Sequence, residues 1–186
     1  MTATLYDIPV DRIDGTHTTL RDFAGNVVLI VNVASKCGLT PQYAGLEEIY
    51  RSHKERGLVV AGFPANNFGA QEPGSNDEIV AFCSTTYDVD FPLFSKISVK
   101  GDDMHPLYHA LIDAQPAATE LPGSGFRAKL AGYGITQEKP TDVFWNFEKF
   151  LIARDGSVAG RFAPDIEPGD PLLLAAIDRE LAKPAP

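Results

Sequence analysis

The fold turns on residues 27–43, VVLIVNVASKCGLTPQY. Val27 to Val33 is a nearly unbroken β-branched run, the pattern of a central strand covered on both faces. The run then gives way to small and polar residues, and Cys37, one of only two cysteines in the chain, lies just past the strand end. Thr40-Pro41 offers an N-cap followed by proline at the first helical position. Tyr43, Leu46, Ile49 and Tyr50 recur at helical spacing, and Gly57 supplies a stop. Leu58 to Phe63 is a second buried strand. Strand, helix and strand in this order form a βαβ unit, whose strands should pair in parallel through a right-handed crossover.

Working outward, Ile13-Asp14-Gly15-Thr16 reads as a tight turn between two short extended pieces. Ser75 to Glu78 is a capping box, with Ile79 and Phe82 starting the apolar face of a further helix. Phe91 to Val99 reads as extended and His105 to Asp113 as helical. Residues 115–141 hold three prolines and four glycines and read as an insertion loop. Phe147 to Phe162 is a hairpin around Asp155-Gly156, a two-residue turn of type I′ character. Asp170-Pro171 caps a last helix carrying Leu172, Leu173, Leu174, Ile177 and Leu181. This order predicts one α/β domain over residues 1–186 with a thioredoxin-like fold, its central mixed β-sheet flanked by helices on both faces.

Composition narrows the function. The 44% hydrophobic and 22% charged content is that of an ordinary globular protein, and the net charge of −9 offers no basic field for nucleic acid or an anionic membrane surface. No apolar run approaches the length of a membrane span. Met1 to Asp7 lacks the basic and apolar regions of a secretory leader, so a cytoplasmic location is expected. Two cysteines cannot form a tetrahedral zinc site alone. His105 and His109, at i and i+4, fit a helix face better than a metal pair. No metal or other cofactor is expected.

Cys37 is the first candidate for chemistry. Reactive groups in open α/β sheets gather beyond the carboxyl ends of strands, and a helix start presents unpaired N–H groups that can hold an anionic sulfur. Gly38 leaves room for a substrate to approach. The plain alternative is a small buried hydrophobe, and the position argues against it.

Four blocks carry a resemblance: NVASKCGLTPQY, GFPANNFGAQEPGSNDEI, FPLFSKISVKGDDMHPLY and WNFEKFLIARDG, in that order between Asn32 and Gly156. They resemble the signature blocks of the glutathione peroxidase family, in its bacterial selenium-free branch. The resemblance implies reduction of hydrogen peroxide or organic hydroperoxides at a cysteine. It places the catalytic tetrad on Cys37, Gln71, Trp145 and Asn146, whose amide and indole N–H groups would steady a thiolate and a leaving oxygen. It also implies a sulfenic acid at Cys37; Cys83, the only other thiol in the chain, is the candidate to resolve it, with thioredoxin closing the cycle. Glutathione acting on Cys37 alone is the other route, and a peroxide sensor is a non-enzymatic alternative. A general disulfide oxidoreductase is weakened because Thr40 stands where a CxxC motif needs its second sulfur. This chain departs from the family pattern at Ala65, where a cysteine is common, and at Ser84, one place after Cys83, where the resolving cysteine commonly falls.

Overall fold

The computed structural model describes residues 4–186; residues 1–3, part of the stretch read above as lacking a leader, lie outside the described residues. Two short strands, β1 (Pro9–Asp11) and β2 (His17–Thr19), pair antiparallel across the Ile13–Thr16 turn. The main sheet follows with β3 (Val27–Val33), β4 (Leu58–Pro64), β5 (Lys149–Ile152) and β6 (Val158–Phe162), in the order β4-β3-β5-β6. β3 and β4 are parallel in the register Val27↔Leu58 to Val33↔Pro64, while β5 lies antiparallel on the other side of β3. All seven β3 residues are buried. Each large aliphatic side chain so covered contributes about 1.5–3 kcal/mol, which fixes β3 as the centre of the core.

The helices are α1 (Gln42–His53), α2 (Asn76–Tyr87), α3 (Pro106–Ala114), α4 (Phe126–Gly132) and α5 (Pro171–Leu181). The Ser75–Glu78 capping box and the Asp170 cap form as expected. His105 is spent as the cap of α3, its Nδ1 accepting the Leu107 N–H at 3.1 Å. Gly57 ends the short 3-10 turn after α1 at φ +107°, and a Cβ there would meet Arg154 Nη1 at 2.8 Å.

Three expectations are corrected and one is refined. α1 begins at Gln42, and Thr40 folds its hydroxyl back onto the Cys37 turn because the backbone before the helix already coils in tight turns. Residues 91–99, read as extended, form no named strand and pair only singly, Leu93 with Gly62 of β4 and Phe94 with Arg12 just beyond β1. The β5–β6 connection is not a type I′ turn. Gly156 N–H bonds to Ala153 C=O and Ala153 N–H to Ser157 C=O, and only Gly156 has positive φ (+88°), so the loop has three residues ending in a left-handed glycine. Finally, 115–141 is not a bare loop: it contains α4, and Thr119 bridges in parallel to Phe162 at the β6 edge of the sheet.

The topology brings the functional segments together. Parallel pairing puts the carboxyl ends of β3 and β4 at one edge, and the antiparallel β5 starts at that same edge. The loops after Val33, after Pro64 and before Lys149 therefore converge there, and they carry Cys37, Gln71, and Trp145 with Asn146.

Candidate active site

Cys37 sits in a chain of tight turns between β3 and α1. Its N–H donates to Thr40 Oγ1 at 2.9 Å, and that hydroxyl donates to Ala34 C=O at 2.8 Å. The turn aims the Leu39 N–H at Cys37 Sγ, 3.3 Å away. The sulfur is thus held by a backbone donor and is 8% exposed. A Cβ on Gly38 would meet no atom within 4 Å, so the space beside the sulfur is open.

Gln71 is delivered by a turn in which Gly69 (φ +65°) and Ala70 (φ +51°) are both left-handed. Its C=O accepts the Lys36 N–H at 3.0 Å, which locks this loop to the Cys37 loop. Trp145 packs on Phe68 with ring centroids 5.5 Å apart. Asn146 is fully buried, and its Nδ2 donates to Gln71 Oε1 at 2.9 Å. With its oxygen committed in this way, Gln71 is left with Nε2 as its free group.

Cys37, Gln71 and Trp145 line one cavity of about 430 Å³. Asn146 does not reach it. It contacts Gln71 instead, through the Nδ2 bond to Oε1. The outer wall of the cavity is Phe126, Lys129, Leu130, Tyr133 and Ile135, from α4 and the turn after it. The sequence reading missed this wall because the glycines and prolines spread along the segment led it to be taken whole as a loop. It also missed Asn32, whose Nδ2 donates to Trp145 C=O at 3.1 Å while its C=O accepts the Phe147 N–H at 2.7 Å. One polar residue inside a seven-residue buried strand was the available signal.

Cys83 lies within α2, 1% exposed. Burial, with help from the negative charge of Glu72, pushes its thiol up to about 11, and the Tyr43 hydroxyl opposes the rise. Burial likewise raises Glu72, against the pull of Ser35, Lys96 and Lys36. Both cysteines are free thiols. A second cavity of about 410 Å³ lies between Ser35 and Lys36 on one side and Ile79 and Phe82 of α2 on the other, with Glu72 in its wall.

The family profile described as "Glutathione peroxidase" matches residues 5–112. The chain belongs to the glutathione peroxidase family. It is 55% identical over 174 residues to the thioredoxin/glutathione peroxidase BtuE of Escherichia coli (strain K12), covering 94% of this chain and 95% of that one. It is 43% identical to the hydroperoxy fatty acid reductase gpx1 of Synechocystis, covering 96% of each. Among solved structures, apo Trgpx superposes with a TM-score of 0.72 at 35% identity over the whole of both chains. As a glutathione peroxidase family member the protein is a thiol peroxidase, an oxidoreductase that reduces hydroperoxides at the expense of a thiol reductant, and its fold is thioredoxin-like. Trp145, Asn146 and α4 lie beyond the span the family profile matches but within that shared with the full-length relatives. Among the described residues no helix is long and apolar enough to cross a membrane, and no group of three or more His, Cys, Asp or Glu side chains could hold a metal ion.

Proposed function

We propose that Cys37 is the peroxidatic cysteine and that Gln71 and Trp145 serve it directly, with Asn146 orienting Gln71. One observation carries this reading: Cys37, Gln71 and Trp145 share a cavity, and the Asn146–Gln71 bond leaves Gln71 Nε2 as a donor. The Cys37 thiolate attacks the terminal oxygen of R–O–OH and the O–O bond breaks. R–O⁻ leaves and takes a proton, and Cys37 becomes a sulfenic acid. Donors placed where the leaving oxygen gains charge lower the barrier. The cycle calls on no metal, selenium or organic cofactor.

The cavity is far larger than hydrogen peroxide requires, since a water fills about 30 Å³ of liquid. Its walls are chiefly apolar, so organic hydroperoxides with apolar bodies are substrates alongside hydrogen peroxide. The name of the Synechocystis relative, a hydroperoxy fatty acid reductase, supports this.

In the second half-reaction the Cys83 thiol attacks the Cys37 sulfur, releases water and forms a disulfide, which thioredoxin reduces. The cavity between α2 and the Ser35-Lys36 loop gives α2 room to yield towards Cys37. The acidic surface disfavours an anionic tripeptide, although the name of the E. coli relative includes both reductants. A chain with only two cysteines suits a reducing compartment such as the cytoplasm. A one-cysteine route using glutathione is the second reading, favoured by the depth at which Cys83 is buried.

The test is peroxide-dependent NADPH oxidation through coupled thioredoxin or glutathione systems. Cys37→Ser should abolish turnover with both, and Cys83→Ser should abolish the thioredoxin-dependent part. Thioredoxin-dependent turnover that survives Cys83→Ser would remove the resolving role and leave the one-cysteine route.

A further inference from the structure

Segment 115–141 leaves α3 at Gln115 and rejoins the core at Asp142, and both ends meet one side chain. Arg161, on β6 and 2% exposed, donates from Nη1 to the carbonyls of Gln115 and Pro116, each at 3.1 Å. From Nη2 it donates to the carbonyls of Thr141 and Asp142 at 3.1 and 2.9 Å. Its Nε donates to Glu148 Oε2 at 2.8 Å, and Glu148 Oε1 accepts the Phe144 N–H at 3.2 Å. The planar guanidinium fork is suited to this task, because its five donors diverge in fixed directions and stay charged. The backbone adds a further tie: Thr119 N–H donates to Arg161 C=O at 2.8 Å, and Thr119 C=O accepts the Ala163 N–H at 2.9 Å.

Between these anchored ends, α4 lines the Cys37 cavity through Phe126, Lys129 and Leu130. It touches the body of the protein at Phe144, where the Phe126 ring meets it edge-on at 5.7 Å and the Arg127 guanidinium lies 4.4 Å above it. Phe144 in turn is held by Glu148 and directly precedes Trp145. One buried ion pair therefore fixes both the ends of the lid and the stretch on which the lid rests.

We propose that Arg161 is a positioning residue of the peroxidase site: it latches segment 115–141 so that α4 forms the outer wall of the peroxide cavity, and so sets how well bulky apolar hydroperoxides are held. The proposal rests on the reading of that cavity as the peroxide site. Hydrogen peroxide needs only the floor around Cys37, Gln71 and Trp145. A hydroperoxide with an apolar body needs the wall as well. Loosening the latch separates the two substrates, which a merely stabilising side chain would not do.

The experiment compares wild type, Arg161→Lys and Thr119→Pro in peroxide-consumption assays with dithiothreitol as reductant, using hydrogen peroxide and cumene hydroperoxide. Acrylamide quenching of Trp145, the only tryptophan, reads the closure of the cavity independently of activity. Lysine keeps a charge for Glu148 but its single nitrogen cannot reach both ends of the segment. Thr119→Pro removes the N–H that docks on Arg161 C=O and leaves the ion pair intact, so it carries the test if Arg161→Lys does not fold. In Thr119→Pro, where the ion pair behind Phe144 and Trp145 stays intact, the expected result is a KM for cumene hydroperoxide raised about tenfold, the effect of losing about 50 Å² of apolar contact, with kcat/KM for hydrogen peroxide within about twofold and Trp145 quenched faster; Arg161→Lys should share the raised KM and the faster quenching. Equal losses on both peroxides, or wild-type KM and quenching in a folded variant, would overturn the latch. If wild type consumes neither peroxide, the peroxide reading of the cavity fails, and unchanged quenching in the variants then overturns the latch separately.

Discussion

At the scale of single residues, two asparagines shape the site without touching the cavity. Asn32 ties the Trp145 carbonyl to β3, and Asn146 ties Gln71 by its oxygen. Replacing Asn146 by alanine frees Gln71 to rotate and present either end of its amide. Steady-state assays on the folded protein should show kcat/KM for hydrogen peroxide lower by about tenfold to a hundredfold, since small misplacements of a reacting constellation cost that much, while the lost buried bond lowers the melting temperature. An unchanged kcat/KM would show that Gln71 needs no partner. Cys83 allows a different check. With its thiol pushed up to about 11 by burial, the thiolate is about one part in a thousand at pH 8. Brief iodoacetamide treatment of the reduced, folded protein at pH 8 should leave Cys83 unlabelled in peptide mass spectra, whereas urea-denatured protein labels fully. Labelling of Cys83 at the denatured rate would mean that α2 already opens without peroxide.

At the scale of elements, strand ends and caps decide what reaches the site. The sequence marks these well, since capping and stop signals act over three or four residues. Ser75 with Glu78, Asp170 with Pro171 and Gly57 all stand where the chain punctuation predicts. Gly57 is the most exacting of them, because its left-handed φ coincides with the close approach of Arg154, which also donates to the carbonyls of Gly25, Arg56 and Leu181. Gly57→Ala should destabilise the protein by about 2 kcal/mol or more in urea unfolding. The active-site edge lies at the other end of β4, so the specific activity of the folded fraction should stay at the wild-type level. Elements whose residues lack such local signals were less legible. The extended piece 91–99 carries a strand pattern yet pairs only through isolated bridges. α4 has good helix formers from Arg127 to Ala131, but seven residues flanked by glycine are too few to hold a helix alone, and packing on Phe144 secures it.

For the whole molecule, charge is buried where the sheet and the segments around it meet. Lys149, on β5, is fully buried, and its Nζ donates to Gln42 Oε1 and to the carbonyls of Pro164 and Ile166 at 2.6–3.0 Å. Burial pulls its ammonium down to about 7, against the pull of Asp165, Glu148 and Glu167. An unfolded lysine titrates near 10.5, so between those values the unfolded chain holds the extra proton and stability rises with pH. Cys83, raised from 9.0 to about 11, acts in the opposite sense above pH 9, so the rise belongs to pH 7–9. Urea unfolding should show about 2 kcal/mol gained from pH 7 to pH 9 through this group. Lys149→Met should be less stable throughout and lack that gain, while an equal gain in the variant would assign it elsewhere. The sequence by itself determined the βαβ frame, the cysteine beyond its central strand and the blocks that mark the family, because strand patterns, caps and catalytic motifs are written in neighbouring residues. Only the tertiary structure decided that Asn146 serves Gln71, 75 residues away, that Asn32 holds Trp145 across 113 residues, and that Arg161 gathers both ends of the lid. These contacts form because a parallel pair and an antiparallel neighbour bring three loops to one edge of a sheet, where buried polar groups must find partners wherever the chain supplies them.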